Sequence, residues 1–211
     1  EQFSSELDEA VEALEPQVSR PIIGHRAPYF SIDRRTLWAL DILREKGFRY
    51  DSSFFPTRNM LYGYPEAPRF PCRVRTPADD QASGALGGAP TEGGGVDIGS
   101  DSQPLAEFPV STVRWLGITW PIGGGFYTRL LPYTILRLGI RQLNRQGQPA
   151  ILYMHPWETD LEQRYGQVTF RERITHYYGR RGLTEKLRRL FQEYTFAPIR
   201  DILDRQSAGA Q

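Results

Sequence analysis

The chain has 211 residues and a mass of 24.2 kDa, enough for one domain with a real core. Apolar residues make up 39% and charged residues 24%, which excludes a disordered chain, and no apolar run approaches the roughly 18 residues of a membrane helix. Basic and acidic residues number 26 and 25, so there is no basic excess to suggest a nucleic-acid partner.

Only Lys46 and Lys186 among the basic residues are lysine, the rest being arginine, which suits bidentate contacts to carboxylates but also fits a simple codon preference. Cys72 is the single cysteine, which excludes an internal disulfide and a cysteine zinc site. No basic segment followed by an apolar run opens the chain, so no signal peptide is read and a cytoplasmic location is expected.

In chain order, Phe3 to Leu14 predicts a helix. Phe3, Leu7, Val11 and Leu14 fall at helical spacing, Ser4 and Ser5 can cap it, and Glu6, Asp8 and Glu9 suit its positive end. Pro16 and Pro21 end it. Pro21-Ile22-Ile23-Gly24 then reads as a short buried strand delivering a polar turn, His25-Arg26-Ala27-Pro28-Tyr29-Phe30. A second helix is expected from about Arg34, capped by Asp33 or Ser31, with Leu37, Leu40, Ile42 and Leu43 as its stripe and Gly47 as its stop. Phe48 to Ser53 reads as the next strand and its exit loop. This alternation predicts an α/β chain with parallel strands.

Thr76 to Pro104, dominated by glycine, alanine, serine and aspartate, predicts a flexible insertion. Neither Gly93-Gly94-Gly95 nor Gly123-Gly124-Gly125 is followed by Gly-Lys-Ser/Thr, so no phosphate loop is expected. Leu105 to Val110 restores order, and Val113 to Trp120 is strand-like. Pro132 can open a helix that Gly147 closes, with Tyr133, Leu136, Ile140 and Leu143 on one face. Ala150 to Met154 is the strongest buried-strand signal and ends on His155-Pro156-Trp157-Glu158. A last helix is expected near Thr184, with Leu187, Leu190, Phe191 and Tyr194 as its stripe.

Functional groups of parallel α/β folds sit at the carboxyl ends of strands. Three such ends carry chemistry: His25-Arg26-Ala27-Pro28, Asp51-Ser52-Ser53 and His155-Pro156-Trp157-Glu158. A histidine there suits acid–base work because its ordinary pKa lies near neutrality. Asp51 could orient a histidine from another strand, and Arg26 could clamp a carboxylate. A lone histidine that ends a strand is more often a capped, partly buried structural residue.

The segments Gly24-His25-Arg26-Ala27-Pro28-Tyr29-Phe30-Ser31-Ile32, Tyr50-Asp51-Ser52-Ser53, Gly123-Gly124-Gly125-Phe126 with Leu130-Leu131-Pro132-Tyr133, and Leu152-Tyr153-Met154-His155-Pro156-Trp157-Glu158 stand in an order that resembles the polysaccharide deacetylases. These are the NodB-homology enzymes, carbohydrate esterase family four, and the resemblance is closest to the branch found with exosortase (PEP-CTERM) exopolysaccharide loci. It covers Phe3 to about Leu203 apart from the insertion.

The resemblance implies a distorted (β/α) barrel that hydrolyses N-acetyl groups of a polysaccharide in exopolysaccharide biosynthesis. It further implies a divalent metal, commonly zinc, held by one aspartate and two histidines, with a second aspartate as base. Carried over by position, His155 is the general acid, Asp51 its orienting partner and Arg26 the group that tunes the catalytic aspartate. Pro28 and Trp157 shape the sugar groove, and Tyr29 or Phe30 can stack on a pyranose.

The family's Asp-bearing first strand end and its His-x-x-x-His pair are missing, for the only histidines are His25, His155 and His176. By resemblance His25 stands where the branch carries an aromatic residue. His176, followed by Tyr177 and Tyr178, reads as surface or partner packing. No metal ligand is assigned, and no metal is expected on this chain alone. The expectation for residues 1–211 is the C-terminal part of one deacetylase domain, with Glu1 as a cut and no activity by itself. A barrel lacking its first strands is expected to expose two sheet edges. The expected partner is an N-acetylated polysaccharide, with no nucleic acid and no transmembrane segment. The alternative is a non-catalytic carbohydrate-binding relative that lacks the metal site.

Overall fold

Gly24 faces Tyr50 across the first two strands, β1 (Gly24–His25) and β2 (Tyr50–Asp51), and a Cβ at position 24 would meet the tyrosine ring at 2.0 Å. The glycine is what lets these strands close on each other. They belong to a computed structural model that describes residues 1–58, 63–74, 105–163, 166 and 169–208. The expected insertion at 76–104 lies outside the described residues. The chain forms two compact units, Glu1–Pro109 with Pro198–Gln211, and Val110–Ala197.

In the first unit β1 and β2 continue, in parallel, to β4 (Ala106–Glu107), and β3 (Cys72–Arg73) adds an antiparallel edge. Both edges of this open sheet, β1 and β3, are only two residues long. Helix α1 (Gln2–Leu14) and helix α2 (Trp38–Glu45) pack apolar stripes into a core of Leu7, Ala27, Ile32, Leu40, Leu43, Phe48, Phe54 and Leu105. The stripe expected for α1 is present, with Leu7 buried and Phe3 and Val11 packed against the core. Its serine caps are not. The helix starts at Gln2 behind Glu1 and has no side-chain cap.

Helix α2 begins four residues later than expected, because Asp33 and Thr36 close a turn on each other. Thr36 Oγ1 accepts the Asp33 amide at 2.9 Å, and the Thr36 amide donates to the Asp33 carbonyl at 3.0 Å. Gly47 does stop it. At φ +81° its amide donates to the Arg44 carbonyl and the Phe48 amide to that of Leu43, a Schellman motif.

In the second unit Val113 to Trp120 is not one strand but a hairpin, β5 (Thr112–Trp115) and β6 (Ile118–Pro121). Leu116 and Gly117 turn the chain with φ of 53° and 80°, the double positive pair of a type I′ turn. Helices α3 (Gly125–Leu130) and α4 (Tyr133–Arg145) follow, and Gly147 ends α4 in a second Schellman motif, with the Gln148 amide on the Leu143 carbonyl.

Ala150 to Met154 corrects the expectation of a buried strand. The segment joins no strand ladder among the described residues, and of its five residues only Ile151 is buried. It is tied instead by single bonds: the Ile151 amide to Ser111 Oγ at 2.7 Å, and the Tyr153 amide to the Gly123 carbonyl at 2.6 Å. Helices α5 (Phe170–Tyr177), α6 (Arg180–Glu193) and, back in the first unit, α7 (Ile199–Ala208) complete the chain. Helix α6 starts four residues before Thr184 and buries Leu183 and Leu190, whereas Phe191 is exposed. The architecture is mixed α/β, with no closed barrel among the described residues.

Candidate functional site

Strand pairing, parallel for β1, β2 and β4 and antiparallel for β3, fixes which residues stand side by side. His25 is in register with Asp51, Asp51 with Glu107, and Glu107 with Cys72, so four chemistry-bearing residues form one row across the sheet. Asp51 is fully buried and well supplied with donors. Its Oδ1 lies 2.8 Å from His25 Nδ1 and accepts from Ser53 Oγ at 2.8 Å, and its Oδ2 accepts the Ser53 amide at 3.0 Å. The His25 ring meets Phe3 and Phe48 edge-on at 5.9 and 6.2 Å, filling the place of an aromatic side chain while holding the carboxylate.

Glu107 differs. It is equally buried, yet only Oε1 has a partner, the Phe54 amide at 2.9 Å, and no hydrogen bond reaches Oε2 among the described residues. Burial first, and then the neighbouring Asp51 charge, hold its pKa well above the ordinary carboxylate range. Burial likewise pushes the Cys72 thiol up to about 12, which makes it a poor nucleophile.

Arg26 lies against the end of β2, its Nε on the Ser52 carbonyl at 2.8 Å and Nη2 on Ser52 Oγ at 2.6 Å. Ser52 in turn donates to the Phe108 carbonyl at 2.6 Å, so the arginine is anchored to both β2 and the chain after β4. Behind it, Pro28–Phe30 forms a tight 3-10 turn in which Tyr29 and Phe30 both take left-handed backbone, with φ of 55° and 51°. This twist sends the two side chains in different directions. Phe30 turns inward and stacks on Phe55 at 5.4 Å, while Tyr29 is 81% exposed. At the amino ends of β1 and β2 a cleft of about 520 Å³ is bordered by Arg20, Tyr50 and Arg200.

The second unit holds the other half of the expected set. His155 is exposed at the end of the extended segment. Its Nε2 is 2.5 Å from the Tyr153 hydroxyl and its ring stacks on Trp157 at 5.8 Å. Its amide donates to Glu158 Oε1 at 2.9 Å. Glu158 is buried and takes Arg129 Nε on its other oxygen at 2.6 Å, and Arg129 also reaches the Thr175, His176 and Tyr178 carbonyls at the end of α5. Trp157 lies beneath the guanidinium groups of Arg129 and Arg180 and against His176 at 5.3 Å. His176 is half-buried and packs its ring against Trp157. Glycine is required beside this loop, since a Cβ at Gly125 would stand 2.1 Å from the Glu158 carboxylate.

Arg26, Pro28, Tyr29 and Asp51 thus belong to the first unit, and His155 and Trp157 to the second. Glu107 and Tyr153 escaped the sequence reading. Tyr153 could have been found from i, i+2 alternation, which sets it on the same side of the extended chain as His155. Among the described residues no three histidine, cysteine, aspartate or glutamate side chains gather to hold a metal ion. His25 and Asp51 are committed to each other and to Ser53, and Glu107 Oε1 to the Phe54 amide. No helix among the described residues is long and apolar enough to cross a membrane.

Residues 82–204, more than half of the chain, match the family described as a domain of unknown function, DUF3473. The chain belongs to this family. DUF3473 domains lie in polysaccharide deacetylase-related proteins, and the matched range includes β4 with Glu107, the hairpin and the His155 loop. No curated protein and no solved structure matches the chain.

Proposed function

We propose that this DUF3473 chain serves a polysaccharide N-deacetylase of the NodB-homology type, with a distorted (β/α) barrel fold, acting on N-acetyl groups of an exopolysaccharide. One observation carries the reading: His155 is exposed to solvent while its backbone is locked by a buried carboxylate and its ring by Tyr153 and Trp157. A proton donor needs this combination of access and fixed aim. His155 is the general acid that protonates the leaving amine, and Tyr153 holds its Nε2. Trp157 and the exposed ring of Tyr29 offer apolar faces for sugar rings. Arg26 and Asp51 are positioning residues for the other strand ends.

The family's metal would polarise the acetyl carbonyl, and the described residues of this chain supply no ligand set for it. Carbohydrate binding without hydrolysis is the second reading, favoured by the twisted backbone that holds Tyr29 outward.

Acetate release from an N-acetylated oligosaccharide by the complete protein separates the two. His155→Gln is expected to lower the rate by about 10²–10⁴, the usual worth of a general acid, with oligosaccharide binding retained. Binding lost in Tyr29→Ala with no acetate released by the unaltered protein would instead establish the second reading.

A further inference from the structure

Between Glu107 and Glu158 the sequence has no acidic residue, yet it carries Arg114, Arg129, Arg137, Arg141 and Arg145. The chain as a whole carries a net charge of only +1, yet that stretch is uniformly positive. Arg129 is spent on Glu158, and Arg137 pairs with Glu193 at 3.1 Å. Arg114, Arg141 and Arg145 are exposed, and no carboxylate pairs with them among the described residues.

The same stretch exposes apolar side chains that the fold does not call for. A type I′ turn favours asparagine, aspartate or glycine at its first central position, because bulky side chains resist the left-handed backbone. Here that position is Leu116, at φ 53° and fully exposed at 101%. Ile118 and Trp120 follow at i+2 and i+4 along β6 and are 57% and 47% exposed. The hairpin is seated on α4. Gly139 of α4 lets Val113 and Ile122 come close, and Trp115 Nε1 donates to Gln142 Oε1 at 2.6 Å. Leu138, 53% exposed, lines up with Arg141 and Arg145 along one outer stripe of α4.

A strained, wholly exposed leucine at the hairpin tip, in a stretch that also exposes a tryptophan and three arginines without a carboxylate partner, is the chemistry of an interfacial anchor. Apolar tips sink into the headgroup layer, tryptophan sits at its depth, and arginines meet lipid phosphates. A soluble polyanion would recruit the arginines but has no use for Leu116. We propose that the hairpin tip and the outer stripe of α4 dock this chain on the surface of an anionic lipid bilayer. The inference is independent of the deacetylase reading and concerns a face of the second unit alone.

Vesicle sedimentation of the full chain tests it, with phosphatidylcholine alone against phosphatidylcholine mixed with phosphatidylglycerol. The protein is expected to partition onto the anionic vesicles and not the neutral ones, and to come off as salt is raised. Leu116→Asn is expected to weaken partitioning about tenfold, the worth of one leucine moved out of water. Its melting temperature should hold or rise, since asparagine suits the turn, so misfolding cannot account for the loss. Arg141→Gln and Arg145→Gln should each cost roughly fivefold. The proposal is overturned by absent or equal sedimentation on the two vesicle types, or by unchanged partitioning of Leu116→Asn. It is equally overturned if the chain binds soluble polygalacturonate but no vesicle, or if Leu116→Asn abolishes a dimer while vesicle binding is missing.

Discussion

Two buried carboxyls stand side by side on β2 and β4, and they are treated differently by their surroundings. Asp51 collects a histidine nitrogen, a backbone amide and a hydroxyl, while Glu107 has one amide. Burial and the neighbouring Asp51 charge raise the Glu107 pKa well above its ordinary value. The consequence for stability has a definite sign. A carboxyl whose folded pKa is raised above its ordinary 4.5 binds more protons folded than unfolded as pH climbs past that value. Its contribution is fully present below pH 4.5 and is lost as pH rises toward the folded pKa, by up to about 1.4 kcal/mol per pH unit. Glu107→Gln, isosteric with the neutral acid, is expected to melt close to the unaltered protein at low pH and above it by a margin that widens at neutral and alkaline pH. Urea midpoints across a pH series would show this, and a constant gap would mean that Glu107 is ionised when folded. In the sequence Asp51, Arg26 and His155 were legible because each ends a recognisable run. Glu107 was not, because its meaning comes from lateral register with Asp51, which no local pattern encodes.

Helix stops were the best-read elements, since a glycine after an apolar stripe has one physical use. Gly47 and Gly147 both close Schellman motifs, and both had been picked out by position alone. The hairpin was hidden because leucine at Leu116 is the wrong residue for its turn. The segment from Ala150 to Met154 misled for another reason: an apolar run states burial but not which backbone will pair with it. Its anchor turned out to be the glycine loop. A Cβ at Gly123 would lie 2.3 Å from the Ile151 carbonyl and 2.7 Å from the Ser111 amide, whereas one at Gly147 meets nothing within 4 Å. Two alanine substitutions therefore separate conformation from crowding. Gly147→Ala should cost about 1 kcal/mol, for its left-handed backbone only, and leave acetate release unchanged. Gly123→Ala should cost roughly 3 kcal/mol and lower acetate release too, because backbone must move and Tyr153 and His155 move with it. Similar losses in both assays for the two variants would remove Gly123 from the support of the His155 loop.

At the level of the whole molecule the first unit is sewn from two distant pieces of chain. Helix α7 returns to it after the second unit has been completed, and a ten-residue helix is marginal unless something holds it. That dependence on a contact across some 150 residues is why the sequence reading stopped at the helix before it. Three ties hold α7. Arg200 Nη2 donates to the Pro21 carbonyl at 2.8 Å, Arg49 pairs with Asp204 at 2.8 Å, and Leu203 is buried, only 6% exposed. The ion pair is solvated on both sides, and such pairs contribute under about 1 kcal/mol. Leu203 is different, since truncating a buried leucine removes about 2–5 kcal/mol through lost transfer energy and the cavity left behind. Leu203→Ala is thus expected to destabilise nearly as much as deleting residues 198–211, while Arg49→Ala changes little. If urea melts placed the deletion well below Leu203→Ala, the polar ties and the Pro21 contact would hold α7 more strongly than burial does. If the deletion melted like the full chain, α7 would have no part in the stability of the first unit.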